Sequence, residues 1–410
     1  MNIILYLAEA FFVAYIMRSL ASKLKMPAVS GYVMGGVILG GSFFAYIPGA
    51  DRFVLELLYT ENVQESLNFL THIALGTISL TIGAELTLSR IKKLGFSVIS
   101  IALFESFGAF AVVFLSIWLF SGNGILAFLL ASISSATAPA ATVAVIQQYK
   151  SRGPLTNTIL AVVGFDDAIS FMMFAFAVTV GKTILGGDHF SLVHSITAPS
   201  VEIALSLGIG VSIGFVAALF LSRAHDMEGF LFLLIAFILL TVGVAEHYDL
   251  SELLACMACG ATLVNTYPNL IPRIRSSFSS LLPLLYAIFF IIGGSHLDIA
   301  SLPVLWALTL VYFIARSFGK IAGAAFGGFV SKAPAGITRL IGFTLLPQVG
   351  AAIALALVVK QEFGNGSYGE LGNTLADYTI NILLLSTLLT EIIGPFLTKM
   401  SLIKAGEAKD

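Results

Sequence analysis

Gly164-Phe165-Asp166-Asp167-Ala168-Ile169-Ser170 sets two adjacent aspartates in the middle of an apolar run from about Leu155 to Val180. A carboxylate at membrane depth costs roughly 3 kcal/mol by insertion scales. Two side by side cost more, because like charges resist joint ionisation. No packing need is met by such a pair. Its reading is functional: a place where cations or protons bind inside a membrane.

The remainder of the chain supplies that membrane. Of 410 residues, 58% are hydrophobic and 11% charged, where a soluble domain carries about 25% charge. Mean hydropathy is +0.98. This is the composition of an all-α polytopic membrane protein. Met1 to Leu20 has no basic leader and no small-residue cleavage site, so it reads as a first span and not as a cleaved signal. A net charge of −2 excludes a broad basic surface for nucleic acid. Cys256 and Cys259 are spaced like a redox pair, but they sit in an apolar run without sheet-and-loop context and read as small helix-packing residues. No nucleotide fingerprint is present, which argues against a primary pump, and nothing implies a cofactor.

A span needs about 20 apolar residues. On that measure the spans are 3–20, 28–47, 67–87, 95–120, 124–149, 154–181, 198–222, 229–247, 251–269, 277–297, 303–330, 336–360 and 373–400, thirteen in all. Their connectors alternate in charge. One set carries Arg18, Lys23, Lys25, Arg90, Lys92, Lys93, Lys150, Arg152, Arg223, Arg273, Arg275, Lys332, Arg339, Lys399, Lys404 and Lys409; the other carries only Arg52, Lys182 and Lys360. The positive-inside rule puts the first set in the cytoplasm, the amino terminus outside and the carboxyl terminus inside.

Thirteen divides as six, one and six, the pattern of two inverted six-helix repeats. The fifth span is interrupted at Ser134-Ser135-Ala136-Thr137-Ala138-Pro139, and the twelfth at Thr344-Leu345-Leu346-Pro347-Gln348-Val349-Gly350. These are equivalent places in the two sixes. Proline removes a backbone donor and clashes with the preceding turn, so freed backbone groups must find partners or line a cavity. Pro139, Pro347 and Gly350 therefore mark two discontinuous helices. If these cross, their half-helix ends face one another, and the end dipoles suit an ion site near the midplane.

The eleventh span holds the other expensive residues. Arg316 and Lys320 lie four apart, on one helix face and midway along the span. A buried cation needs a buried anion, and Asp166 and Asp167 are the natural candidates. Gly319, Gly323 and Gly327 recur every four residues on the same helix, a spacing that admits a closely packed neighbour. Gly31, Gly35, Gly36 and Gly40, and Gly208, Gly210 and Gly214, read as helix contacts in the same way. Glu85, at the cytoplasmic end of the third span, reads as an interfacial carboxylate near Arg90 or as lining an ion path; His72, within the outer half of that span and without a partner in sequence, points to nothing; and His225, His247, His296 and Asp298 fall near span ends and read as interfacial.

With these motifs in place, the chain resembles the monovalent cation:proton antiporter superfamily, in its two-aspartate branch of sodium/proton antiporters. The resemblance covers nearly the whole chain and rests most firmly on Ser135 to Thr142, on Asp166-Asp167, and on Arg316-Ser317-Phe318-Gly319-Lys320. It implies that Asp167 binds the cation or protons, that Asp166 pairs with a membrane-embedded base, and that the backbone around Thr137 helps coordinate the ion. The base is Arg316 or Lys320. The family frame selects Arg316 as the stronger partner, while Lys320 is the residue able to release a proton. The resemblance also implies a core ion-transport domain at 95–181 and 301–400, a scaffold and dimerisation domain at 1–94 and 223–300, a linker helix at 182–222 and a cytoplasmic tail at 401–410. A homodimer in a prokaryotic inner membrane, with elevator-like movement of the core, completes the expectation.

The expected activity is exchange of protons for sodium, or for lithium or potassium, and two titratable acids make it electrogenic. An intramembrane aspartyl protease is rejected, because adjacent residues point about 100° apart on a helix and cannot face one scissile bond. A sodium-coupled organic-anion symporter, with Arg316 holding the substrate carboxylate, is the remaining alternative beside potassium/proton exchange.

Overall fold

The computed structural model describes residues 3–23, 28–40, 61–89, 95–186, 192–298 and 302–408. Of the topology markers, Lys25, Arg52, Arg90, Lys92, Lys93 and Lys409 lie outside the described residues.

Among the described residues the chain is helical throughout, without strands. The helices are α1 (Ile3–Lys23), α2 (Ala28–Leu39), α3 (Glu61–Glu85), α4 (Phe96–Ser121), α5 (Gly124–Ser134), α6 (Pro139–Gln148), α7 (Pro154–Leu185) and α8 (Leu192–Arg223). They continue as α9 (Met227–His247), α10 (Glu252–Thr266), α11 (Ile271–Ser295), α12 (Leu302–Val330), α13 (Ala335–Thr344), α14 (Gly350–Phe363) and α15 (Gly369–Lys404), with one 3-10 turn at Pro268–Leu270.

Seven of these helices are long and apolar enough to cross a membrane alone, and the bent pair at Pro268–Ser279 and Leu281–Ser295 makes an eighth if taken as one span. The expected thirteen is reached only if the shorter apolar helices Ala28–Leu39, Phe69–Glu85 and Glu252–Thr266 also cross, and if α5 with α6 and α13 with α14 each form one broken span. Large apolar side chains stand exposed on the helix exteriors, among them Phe12, Leu119, Phe232, Trp306 and Phe329. Among their apolar side chains the buried interiors also hold hydroxyls, carboxylates and two cations. Large apolar side chains facing outward with the charges held inside is what a lipid solvent selects.

Local chemistry sets the helix ends. Gly122 closes α4 in the left-handed region at φ 68°, its N–H donating to the Trp118 carbonyl. Asn123 then caps α5, its side chain accepting from the Leu126 N–H at 3.0 Å. Ser251 caps α10 and Asp226 caps α9 in the same way.

The chain forms two compact units. The first comprises Met1–Val63, Leu94–Phe174 and Phe290–Asp410; the second comprises Gln64–Lys93 and Ala175–Phe289. The first thus groups residues 1–63 with most of the expected core. Its interior joins Ile101, Ile159, Val162, Ala324, Ile341 and Leu345. That of the second unit joins Leu80, Leu221, Phe230, Leu234, Cys259 and Leu263. Cys256 and Cys259 are free thiols buried in α10, as helix packing requires. In the same unit His72 Nδ1 lies 2.9 Å from Glu252 Oε2, a partner no sequence spacing announced.

The glycine ridge of α12 has its neighbour in α4. A Cβ at Gly319 would lie 2.6 Å from the Gly108 carbonyl oxygen, one at Gly323 2.2 Å from that of Phe104, and one at Gly327 2.6 Å from that of Ser100. Backbone meets backbone along three turns. Gly36 likewise meets the Ile291 carbonyl, and Gly210 that of Ala255. Gly208 differs from its expected role: nothing lies within 4 Å of a Cβ there. Gly323→Val should therefore lower the melting temperature of the purified protein by the equivalent of about 1–3 kcal/mol of overpacking, whereas Gly208→Ala should leave it unchanged. Equal melting of all three proteins would refute the ridge assignment.

Candidate functional site

Both interrupted helices break where the sequence places proline and small residues. Helix α5 ends at Ser134, residues 135–138 leave the helix, and Pro139 opens α6. Proline fits that first position, because no intrahelical partner awaits its missing N–H. Helix α13 ends at Thr344, Pro347 sits in the second break, and Gly350 opens α14. No clash demands glycine at 350, since a Cβ would meet only Phe290 Cζ, at 3.8 Å.

The two breaks lie against each other inside the first unit. The Ala138 N–H donates to the Pro347 carbonyl at 2.8 Å, Thr142 Oγ1 to the Thr344 carbonyl at 3.1 Å, and Gln348 Nε2 to the Ile133 carbonyl at 3.0 Å. Tyr312 and Gln348 are hydrogen-bonded side chain to side chain, and Thr390 Oγ1 donates to the Gln348 carbonyl at 3.2 Å. Each freed backbone segment thus borrows partners from the other break or from the helices beside it.

Helix α12 adds the two cations, both at 0% exposure, and they do different work. Arg316 Nε donates to the Ser134 carbonyl at 2.9 Å, Nη1 to Leu346 at 2.7 Å and Nη2 to Ala136 at 2.7 Å. These oxygens are carbonyls left over where α5 and α13 end. They carry the negative end of each half-helix dipole, and a planar guanidinium bridges several at once.

Lys320 Nζ donates to the Ser135 carbonyl at 2.7 Å, to Thr137 Oγ1 at 2.7 Å and to Glu105 Oε1 at 3.0 Å, and lies 3.7 Å from Asp166 Oδ2. Three hydrogen bonds use all the ammonium's protons. The expectation that Arg316 is the stronger partner of Asp166 is therefore not what the geometry shows. The direct ion pair belongs to Lys320, because Arg316 is already satisfied by backbone.

Thr137 Oγ1 donates to Asp166 Oδ2, with the Leu345 carbonyl beside it at 3.4 Å. Asp166 is fully buried and Asp167 is 7% exposed. The structure thus gathers Asp166, Thr137 and Lys320 in direct contact, with Arg316 on the backbone of both breaks and Asp167 the next residue along α7.

Glu105 completes the cluster and escaped sequence reasoning. It stands on α4, fully buried, and shares Lys320 with Asp166: Nζ lies 3.0 Å from Glu105 Oε1 and 3.7 Å from Asp166 Oδ2. Among the described residues, Glu105 Oε2 and Asp166 Oδ1 have no hydrogen-bond donor. The signal was present: Glu105 is the sole charged residue between Phe96 and Ser121, and the argument that singled out Asp166 applies to it equally. Glu85, by contrast, closes α3 in the second unit.

No group of three His, Cys, Asp or Glu with metal-site geometry exists among the described residues. The oxygens offered at the breaks are carboxylate and hydroxyl, ligands for a hard, weakly held cation and not for a tightly bound transition metal.

Comparison with known proteins agrees with the geometry. The family described as sodium/hydrogen exchanger, transmembrane, matches residues 9–404. The chain belongs to that family. The exchanger also shares its fold with the sodium proton antiporter MjNhaP1 from Methanocaldococcus jannaschii, whose structure at pH 8 superposes with a TM-score of 0.76 at 18% identity, covering 98% of each chain. The electron-microscopy structure of that antiporter gives a TM-score of 0.73 at 18% identity, covering 99% of the exchanger and 98% of the relative. No protein of curated function matches by sequence.

The division between the two cations is measurable. Breaking a buried ion pair by removing one partner costs about 3–5 kcal/mol. Lys320→Met and Asp166→Asn should each lower the melting temperature, and the double variant should lose less than both together. Arg316→Met should couple more weakly to Asp166→Asn in the same double-mutant cycle. The reverse ranking would return Asp166 to Arg316.

Proposed function

We propose that this exchanger moves sodium ions and protons in opposite directions by competition at Asp166 and Asp167, beside Thr137, with alternating access to the two sides of the membrane. The observation that carries the reading is the buried cluster itself. Acids and one lysine meet where two broken helices cross, inside a chain of the sodium/hydrogen exchanger family.

The chemistry follows from charge. Adjacent buried carboxylates titrate as a unit. They hold protons, or they hold a cation through negative oxygens, but occupancy by one opposes the other. Glu105 supplies Lys320 with a counter-charge of its own, and Arg316 is balanced by carbonyls of the half-helix ends. The aspartate pair is then left to accept two protons or one monovalent cation. A two-for-one exchange moves net charge, and membrane potential acts on it at about 2.3 kcal/mol per charge per 100 mV. Thr137, held between Lys320 and Asp166, lends its hydroxyl and backbone to the ion.

Thirteen crossings complete the proposal, with the amino terminus outside, the carboxyl terminus in the cytoplasm, and a homodimer in a prokaryotic inner membrane. Residues 95–181 and 301–400 serve as the moving core, 1–94 and 223–300 as the scaffold, and 182–222 as the linker. Family membership favours sodium over potassium. Organic-anion symport is disfavoured because the Arg316 fork is committed to backbone oxygens.

In vesicles with an imposed proton gradient, sodium should dequench a pH-sensitive dye for the wild type, and Asp167→Asn should abolish the response while still purifying as a folded protein. Repeating the assay with lithium and potassium ranks the cations. Residual exchange by Asp167→Asn at the wild-type rate would dispose of the competition mechanism. An imposed potential should change the wild-type rate; a rate indifferent to potential across the pH range would dispose of the two-for-one stoichiometry.

A further inference from the structure

Helix α15 carries a second buried acid that the aspartate site does not use. Glu391 is 2% exposed. Ser30 Oγ, on α2, donates to Glu391 Oε2 at 2.7 Å, and Oε1 has no hydrogen-bond partner among the described residues. No described lysine, arginine or histidine forms an ion pair with it. Among the described residues its one polar partner is a neutral hydroxyl, and no charged group is paired with it. From α2 there is Ser30, with Tyr32 about 200° further around that helix. From its own helix there is Thr387, one turn earlier, whose buried hydroxyl also lacks a partner. Its neighbours along α15 touch the second break: Thr390 bonds the Gln348 carbonyl, and a Cβ at Gly394 would lie 2.6 Å from Pro347 Cγ.

An ionised carboxylate in that position would have one neutral donor and no counter-charge at membrane depth, which is prohibitive without a proton. A protonated carboxyl fits: its carbonyl oxygen accepts from Ser30 and its hydroxyl sits on the oxygen that no donor approaches. We propose that Glu391 is a second proton-binding site, separate from the aspartate pair, which holds a proton at the wall of the second helix break and releases it as the pH rises. Its place in the transport cycle rests on the antiport reading; its existence as a proton site does not. Ionisation there puts a bare charge on the helix whose Thr390 and Gly394 pack on the second break, so the proton's departure acts on the element that supports the break Arg316 and Thr142 hold.

Infrared difference spectroscopy on the reconstituted full chain, stepped from acid to alkaline pH, reads the site directly. The carbonyl stretch of a protonated carboxylic acid should disappear across the step in the wild type and in Asp167→Asn, and that component should be absent from Glu391→Gln. Ser30→Ala keeps the acid but removes its donor, so the same band should persist at a shifted frequency, a readout that stands if Glu391→Gln fails to fold. Sodium-driven exchange by Glu391→Gln should show a displaced pH–rate profile. A carbonyl band unaltered by both substitutions would overturn the site. A band that vanishes in Glu391→Gln while its pH–rate profile stays that of the wild type would overturn its release during exchange. Absence of sodium exchange in the wild type would count against the antiport reading alone, since the infrared arm needs no transport.

Discussion

The buried ammonium of Lys320 is the interaction on which the rest of the site depends. It is unaffordable alone at membrane depth, and four oxygens from three parts of the chain make it tolerable: the Ser135 carbonyl, Thr137 Oγ1, Glu105 Oε1 and Asp166 Oδ2. That convergence needs α12 and α4 to be closer than ordinary side chains permit. Gly319 and Gly323 flank Lys320 in sequence, and a Cβ at Gly323 would touch the Glu105 Cα at 2.9 Å. The glycines are thus part of the electrostatics. They bring the α4 backbone near enough for a short carboxylate arm to reach the lysine.

Arg316 shows the same economy in another form. Interrupting a helix inside a bilayer leaves carbonyls without donors, each a penalty that water would normally remove. One guanidinium satisfies the carbonyl of the last residue of α5, Ser134, and those two residues beyond the ends of α5 and α13, Ala136 and Leu346. Lysine, a point charge with three protons on a flexible stem, would not span that set; arginine, unable to deprotonate, would be a poor neighbour for an acid with the proton-exchanging role proposed for Asp166. The two bases are placed according to what each can do.

Much of this was legible in the chain. Asp166 and Asp167 stand out because charge in an apolar run is rare; Pro139 and Pro347 mark breaks because proline has no N–H; and the four-residue glycine spacing announces a close helix neighbour. Which neighbour was not legible, because helix pairing is decided by tertiary packing and leaves no local signature. For the same reason sequence periodicity could place Arg316 and Lys320 on one face but could not say which met the acid, one turn being enough to separate backbone carbonyls from carboxylates. Glu105 and Glu391 were legible in principle by the argument used for Asp166. They were passed over because each is single, and a single acid in an apolar helix draws less notice than a pair. Gly208 failed in the opposite sense: a pattern that elsewhere means contact there meets open space.

The partners of Asp166, of both bases and of both breaks all belong to one compact unit. This bears on how access can alternate. If the ion's ligands were contributed by separately moving bodies, each change of access would dismantle the site, and the buried charges of Lys320, Glu105 and Asp166 would lose their partners in turn. Breaking any one such pair costs several kcal/mol, a barrier paid on every cycle. With the cluster held within one unit, and with the breaks laced together by Arg316, Thr142, Gln348 and Ala138, the exchange proposed above has its lower barrier in a motion that carries the site whole. Only the surroundings of Asp166 and Asp167 then need to change. The electrostatic cost of the buried cluster is met once, on folding, and transport is left with the exchange of protons for a cation.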